Sequence, residues 1–170
     1  HGAMPLVGFN PIPPMVSILE KLRQLEEEEI ERLGKDIFLG YPSITPTVIQ
    51  APVTGEPQLN VLPQQCRALL DIRTIPGQSH EALKKQVEDI VREEEEKIRD
   101  SLQSGSLKEI RESLQKGLSE TISFQAKLYV FEDRPWTRTS RNESIVETVA
   151  GAYRSVTGAE PTYNGVPGAT

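Results

Sequence analysis

Few side chains in this chain are suited to chemistry, and their spacing excludes more than it allows. The histidines number two, His1 and His80, and two scattered histidines do not make a metal site. His80 lies beside a helix cap and reads as an exposed residue. Cys66 is the sole cysteine, so neither an internal disulfide nor a thiolate metal cluster can form. It falls on the apolar side of an alternating run and reads as a small core residue, not a nucleophile. Glu26 to Glu29 and Glu93 to Glu96 read as solvated helix faces. Arg73 falls on the polar side of its strand, where its planar fork could match both oxygens of a ligand carboxylate. A surface pairing across the strand suits that position equally well.

The elements that must position these residues follow from periodicity. Asn10 and Pro11 mark a helix start, with Pro13 and Pro14 in the same first turn. Ile12, Met15, Val16, Leu19, Leu22, Ile30 and Leu33 then recur at helical spacing until Gly34. Ser43 to Ala51 reads as a strand, which Pro46 demotes to an edge or a bulge. Cys66, Ala68, Leu70 and Ile72 alternate with polar neighbours, as in a half-buried strand. After the Pro76-Gly77 turn, Ser79 caps a second helix with the stripe Leu83, Val87, Ile90, Val91 and Ile98. Gly105 should break it, and Leu107, Ile110, Leu114 and Leu118 resume the period. Ile122, Phe124, Ala126, Leu128 and Val130 give the strongest strand signal. Arg134 to Thr137 reads as a linker, and Asn142 or Ser144 can cap a last helix that Gly158 ends.

The order up to Asp133 is helix, strand, strand, helix, strand. One more strand in front would complete β-α-β-β-α-β, so the expected class is α+β: a ferredoxin-like antiparallel sheet with helices on one face and its first strand truncated near His1. Both ends of the chain read as the middle of something longer. A net charge of -6 argues against a non-specific grip on nucleic acid. No apolar run is long enough to span a membrane. No signal peptide is visible, and a reducing cytoplasm is the default compartment.

Three motifs in order carry a resemblance. His1, Pro5, Gly8, Asn10 and Ile12 form the first. Asn60-Val61-Leu62-Pro63 with Asp71-Ile72-Arg73 and Pro76-Gly77 form the second, and Gly165-Val166-Pro167-Gly168-Ala169-Thr170 the third. Together they resemble the M20 metallopeptidases, the group of acetylornithine deacetylase, succinyl-diaminopimelate desuccinylase, aminoacylase and carboxypeptidase G. The resemblance implies that residues 1–133 are the lid, or dimerisation, domain, and that residues 134–170 are a partial α/β catalytic-domain segment. The whole enzyme would be a zinc-dependent amidohydrolase or exopeptidase acting on a small N-acyl amino acid or peptide. It would be a homodimer through the lid, with two zinc ions whose ligands are absent from this chain, so the chain alone would be inactive.

The resemblance also assigns roles. His1 matches a lid histidine that stabilises the oxyanion in the opposite subunit's active site. Asn60 and Arg73 match substrate-contacting positions, and Gly165 and Gly168 would let backbone pass close to substrate. A turn role for Asn60 and a plain loop for the glycines fit the residues equally well. The extended second helical region, through Leu118, exceeds what a lid needs and blurs the subfamily. The competing reading is a stand-alone ferredoxin-like module that binds a ligand or protein and does no catalysis.

Overall fold

A computed structural model describes residues 1–104, 106–114 and 122–166. Helix α1 spans Ile12–Leu33. Prolines in its first turn forfeit no hydrogen bond, because the N–H groups there lack helical partners anyway. The Asn10 side chain accepts from the Ile12 amide at 3.1 Å. Gly34 stops the helix at φ 68°, with its N–H bonded to the Ile30 carbonyl. The buried face is rotated from the predicted stripe: Ile18, Leu22 and Leu25 are buried, while Ile12 and Val16 face solvent. Apolar residues wrap so much of α1 that periodicity admits two faces, and packing selects one of them.

Strands β1 (Ser43–Gln50) and β2 (Arg67–Arg73) pair antiparallel, with Ser43 opposite Arg73 and Gln50 opposite Arg67. The register shifts between Pro46 and Val48. Pro46 has no N–H to give the ladder, so the irregularity falls where the sequence placed it. Helix α2 (His80–Gln103) begins at Ser79, whose hydroxyl accepts from the Ala82 amide at 3.3 Å. Helix α3 covers Ser106–Leu114, and Leu118 lies outside the described residues. Helix α4 (Ser144–Thr157) has Glu143 at its cap position with no side-chain bond, so neither expected cap is used. Gly158 closes it in the left-handed conformation.

The core lies between one face of the sheet and the α1–α2 pair. It joins Ile18, Leu22 and Leu25 of α1 to Ile44 of β1 and Leu83 and Val87 of α2, flanked by Leu70. The α+β class and the helix-on-sheet layering are as predicted. The segment Ile122–Val130 differs from expectation. It forms no ladder, and the sheet has two strands among the described residues. It keeps the side preference of a strand: Ile122, Phe124 and Ala126 are half-buried, while Ser123, Gln125 and Lys127 are exposed. Alternation fixes which side faces inward, but a ladder also needs a neighbour. Here the Ala126 amide bonds to Glu95 on α2 instead, at 3.2 Å.

The acidic runs are only partly solvated. Glu29 and Glu94 are buried. Lys21 of α1 reaches Glu94 of α2 at 3.3 Å, so a charge pair helps clamp the two helices. Helical spacing within a run of four glutamates must turn one of them inward, and composition does not say which.

Two outcomes are expected. Leu22→Ala removes the most buried core side chain and should cost about 2–5 kcal/mol, read as a lower urea midpoint. Among the described residues no strand pairs with the β2 edge that faces away from β1, so the chain should self-associate in light scattering. A monomer that persists across concentrations counts against an open edge.

Candidate functional site

Two of the predicted site residues meet. His1 and Asn60 are both exposed, and the Gly2 amide donates to the Asn60 carbonyl at 2.7 Å, tying the first residues to the loop before β2. The His1 Nδ1 accepts from the Ala3 amide at 3.2 Å. That bond fixes a lone pair on Nδ1, so in the neutral ring the proton sits on Nε2. Nε2 lies 3.2 Å from the Asn60 side-chain amide, which can turn its oxygen toward this N–H. The single N–H of the ring is thus directed to Asn60, at the protein surface.

Arg73 is exposed at the end of β2 and is held by Asp71, with Nε 2.9 Å from one carboxylate oxygen. Asp71 lies two residues away on the same strand, so this is neither the cross-strand pairing weighed from sequence nor a guanidinium without a partner. Gly165 backs onto Phe38, and a Cβ there would lie 2.5 Å from the Phe38 Cβ. Glycine is therefore required at this position by close packing. Phe38 is itself set by Asp36, whose carboxylate accepts from the Phe38 and Leu39 amides at 2.9 Å each. Those two amides, Leu39 first, hold the Asp36 carboxyl below the usual range. Gly168 lies outside the described residues. Burial pushes the Cys66 thiol up, which suits a structural residue.

A second cluster was not legible in the sequence. His80, expected to be merely exposed, is half-buried and bridges two distant residues. Its Nε2 lies 2.7 Å from the Thr74 hydroxyl and its Nδ1 2.7 Å from Asp133. Lys84 holds the other Asp133 oxygen at 2.9 Å. Lys84 and then His80 hold the Asp133 carboxyl below the usual aspartate range. The Asp133 carboxylate calls for the proton on Nδ1, so Nε2 accepts from Thr74. Asp133 is remote from His80 in sequence, and no local spacing signals the contact.

Beneath it lies a buried polar chain. Arg32 grips Glu29 with two N–H groups, at 2.9 and 2.7 Å. Glu29 also accepts from the Gln78 side-chain amide at 2.8 Å, and Gln78 in turn accepts from the Ile75 amide at 2.8 Å. The Trp136 indole N–H reaches the Gln78 carbonyl at 3.3 Å. The segment read as a linker is therefore anchored. Among the described residues, no group of three or more His, Cys, Asp or Glu is placed to hold a metal ion. The zinc pair implied by the resemblance finds no ligand set there.

Residues 1–99 match the family model of the peptidase dimerisation domain, M20_dimer. The match takes in more than half of the chain, which belongs to this family. In structure the chain is similar to an M20 family metallo-carboxypeptidase from Sulfolobus solfataricus, with a TM-score of 0.50 and 16% identity. The alignment covers 95% of this chain and 40% of that one. The chain thus spans less than half of that protein, and at this identity the likeness establishes the fold. No curated protein sequence matches.

The buried carboxylate makes stability depend on pH. Arg32 first, and then Gln78, hold Glu29 below the usual glutamate value. The folded value is lower than the unfolded one, so its contribution is complete above the unfolded value of about 4.3 and is lost as pH falls through the folded value. Glu29→Gln should lower stability at neutral pH by about 1–2 kcal/mol. It should also flatten the acid limb of a urea-midpoint-against-pH curve. An unchanged acid limb assigns that slope to other carboxylates, Asp133 first.

Proposed function

We propose that this chain is the lid of a longer metal-dependent amidohydrolase or exopeptidase, and that it pairs with a second copy to form a homodimer. Residues 1–133 make the lid, and residues 134–170 return toward the catalytic domain. The observation that carries the reading is the dimerisation-domain match over residues 1–99, with His1 at its leading edge held to Asn60. Substrate would be a small N-acyl amino acid or peptide with a free carboxylate, handled in the cytoplasm. Neither nucleic acid nor membrane is a partner. The acidic net charge supports the first part, and no helix among the described residues is long and apolar enough to cross a bilayer.

In this reading the metal pair is zinc, and its ligands come from parts of the enzyme outside this chain. Attack on an amide carbonyl creates an oxyanion, and a donor placed in advance lowers that barrier more than one that must reorient. The exposed His1 ring would trade Asn60 for the oxyanion, and its Nε2–H would serve as that donor in the partner subunit's site. Arg73 would trade Asp71 for the substrate carboxylate, which it can hold with two N–H groups. Asn60 would contribute its amide to substrate, and Gly165 and Gly168 would let backbone pass close to it. The chain alone should hydrolyse nothing. A stand-alone binding module remains the competing reading, and activity of the longer enzyme separates the two.

The test is His1→Ala in the longer enzyme. Loss of one oxyanion donor should lower kcat by about 10²–10³-fold, with metal content unchanged. A kcat within twofold or so of the parent value would remove the oxyanion role.

A further inference from the structure

The asparagines of the chain are Asn10, Asn60, Asn142 and Asn164. An asparagine is chemically labile when the backbone nitrogen of the next residue can reach its side-chain carbonyl carbon and close a cyclic imide. That attack needs an N–H on the next residue, an N–H not already donated, and no side chain crowding the approach.

Asn10 fails at once, because Pro11 has no N–H. Its side chain is also engaged, accepting from the Ile12 amide. Asn60 is followed by Val61, whose amide donates to the Gln58 carbonyl at 3.3 Å and whose β-branched side chain stands in the way. Asn142 is followed by Glu143, whose amide donates to the Ser140 carbonyl at 3.2 Å. Asn164 meets every condition. Gly165 follows it with no side chain, and the Gly165 amide has no acceptor among the described residues. Asn164 is exposed, and residues 160–166 lie in neither helix nor strand. Glycine also gives the backbone the freedom that ring closure requires.

We propose that Asn164 is a site of spontaneous deamidation through Gly165. The Gly165 nitrogen attacks the Asn164 side-chain carbonyl carbon. A C–N bond forms to that nitrogen, the bond to the side-chain nitrogen breaks, and ammonia leaves with the proton of the Gly165 amide. Water then opens the imide at either carbonyl. One opening gives aspartate; the other gives isoaspartate, in which the main chain runs through the former side chain. Nothing is oxidised or reduced, and water is the sole co-reactant. Either product makes the net charge of -6 one unit more negative. Isoaspartate also adds a main-chain atom directly before Gly165. Gly165 sits so close to Phe38 that a Cβ would lie 2.5 Å from the Phe38 Cβ, so a lengthened backbone shifts that contact. The proposal is independent of the enzymatic reading.

The test incubates the whole folded chain in mildly alkaline buffer made with oxygen-18 water, beside a sample unfolded in guanidinium chloride. Peptide mass spectrometry follows each asparagine. In the folded chain Asn164 should convert before the others and take up solvent oxygen. A more acidic band should appear on isoelectric focusing, and enzymatic methylation of the isoaspartyl carboxyl should label the Asn164 peptide. Asn164→Gln should abolish the early acidic band, because the longer side chain closes its ring far less readily. The proposal is overturned if another asparagine converts first, or if folded Asn164 stays intact while the unfolded sample converts. A product that is aspartate alone, or an early acidic band that survives Asn164→Gln, overturns it equally.

Discussion

The hydrogen bond between Glu29 and Gln78 is the constraint on which the rest of the arrangement leans. It is buried, charge-assisted and long-range, and it joins helix α1 to the turn between β2 and α2. Glutamate burial is tolerable only because Arg32 neutralises the carboxylate and Gln78 supplies a further donor. Gln78 then passes the constraint on, through its side chain to Ile75 and through its carbonyl to Trp136. The end of β2, the start of α2 and the segment that follows Asp133 are thereby fixed relative to one helix. Arg73, Thr74 and His80 all lie within a few residues of that junction.

The same junction connects scaffold to function. The His80 bridge ties the end of β2 to the end of the 122–131 segment, and Lys84 secures the far oxygen of Asp133. The His1–Asn60 pair is held by the Gly2 backbone bond. The contacts of Asp133 with His80 and Lys84, and of Gly2 with Asn60, each span distant parts of the chain, while His1 and Arg73 stay at the surface.

Much of the fold was legible because its signals are local. Prolines at the start of α1, Gly34 and Gly158 at helix ends, the Ser79 cap and the Pro46 irregularity each follow from one or two residues. The class and the family resemblance followed from element order and three motifs. What was not legible depends on residues far apart. Periodicity could not choose between two faces of α1, or name the glutamate in each acidic run that turns inward. The alternation at Ile122–Val130 gave the inward side but could not supply a neighbouring strand. The motifs gave His1 and Asn60 a role each, and nothing in them signalled the contact between the two. The Thr74–His80–Asp133 bridge left no trace in spacing at all.

Helix α4 is apolar along a side that this chain does not cover: Ile145, Val149, Tyr153 and Val156 are all exposed, and Ala150 is its one buried residue. Trp136, the chain's single tryptophan, sits at the point where the polypeptide leaves the compact part and heads toward that helix, with its indole pinned to a backbone carbonyl. The molecule thereby carries an intrinsic optical gauge of its own joint. Any swing of the downstream segment that frees the ring will alter its emission, without a dye, a label or an engineered probe.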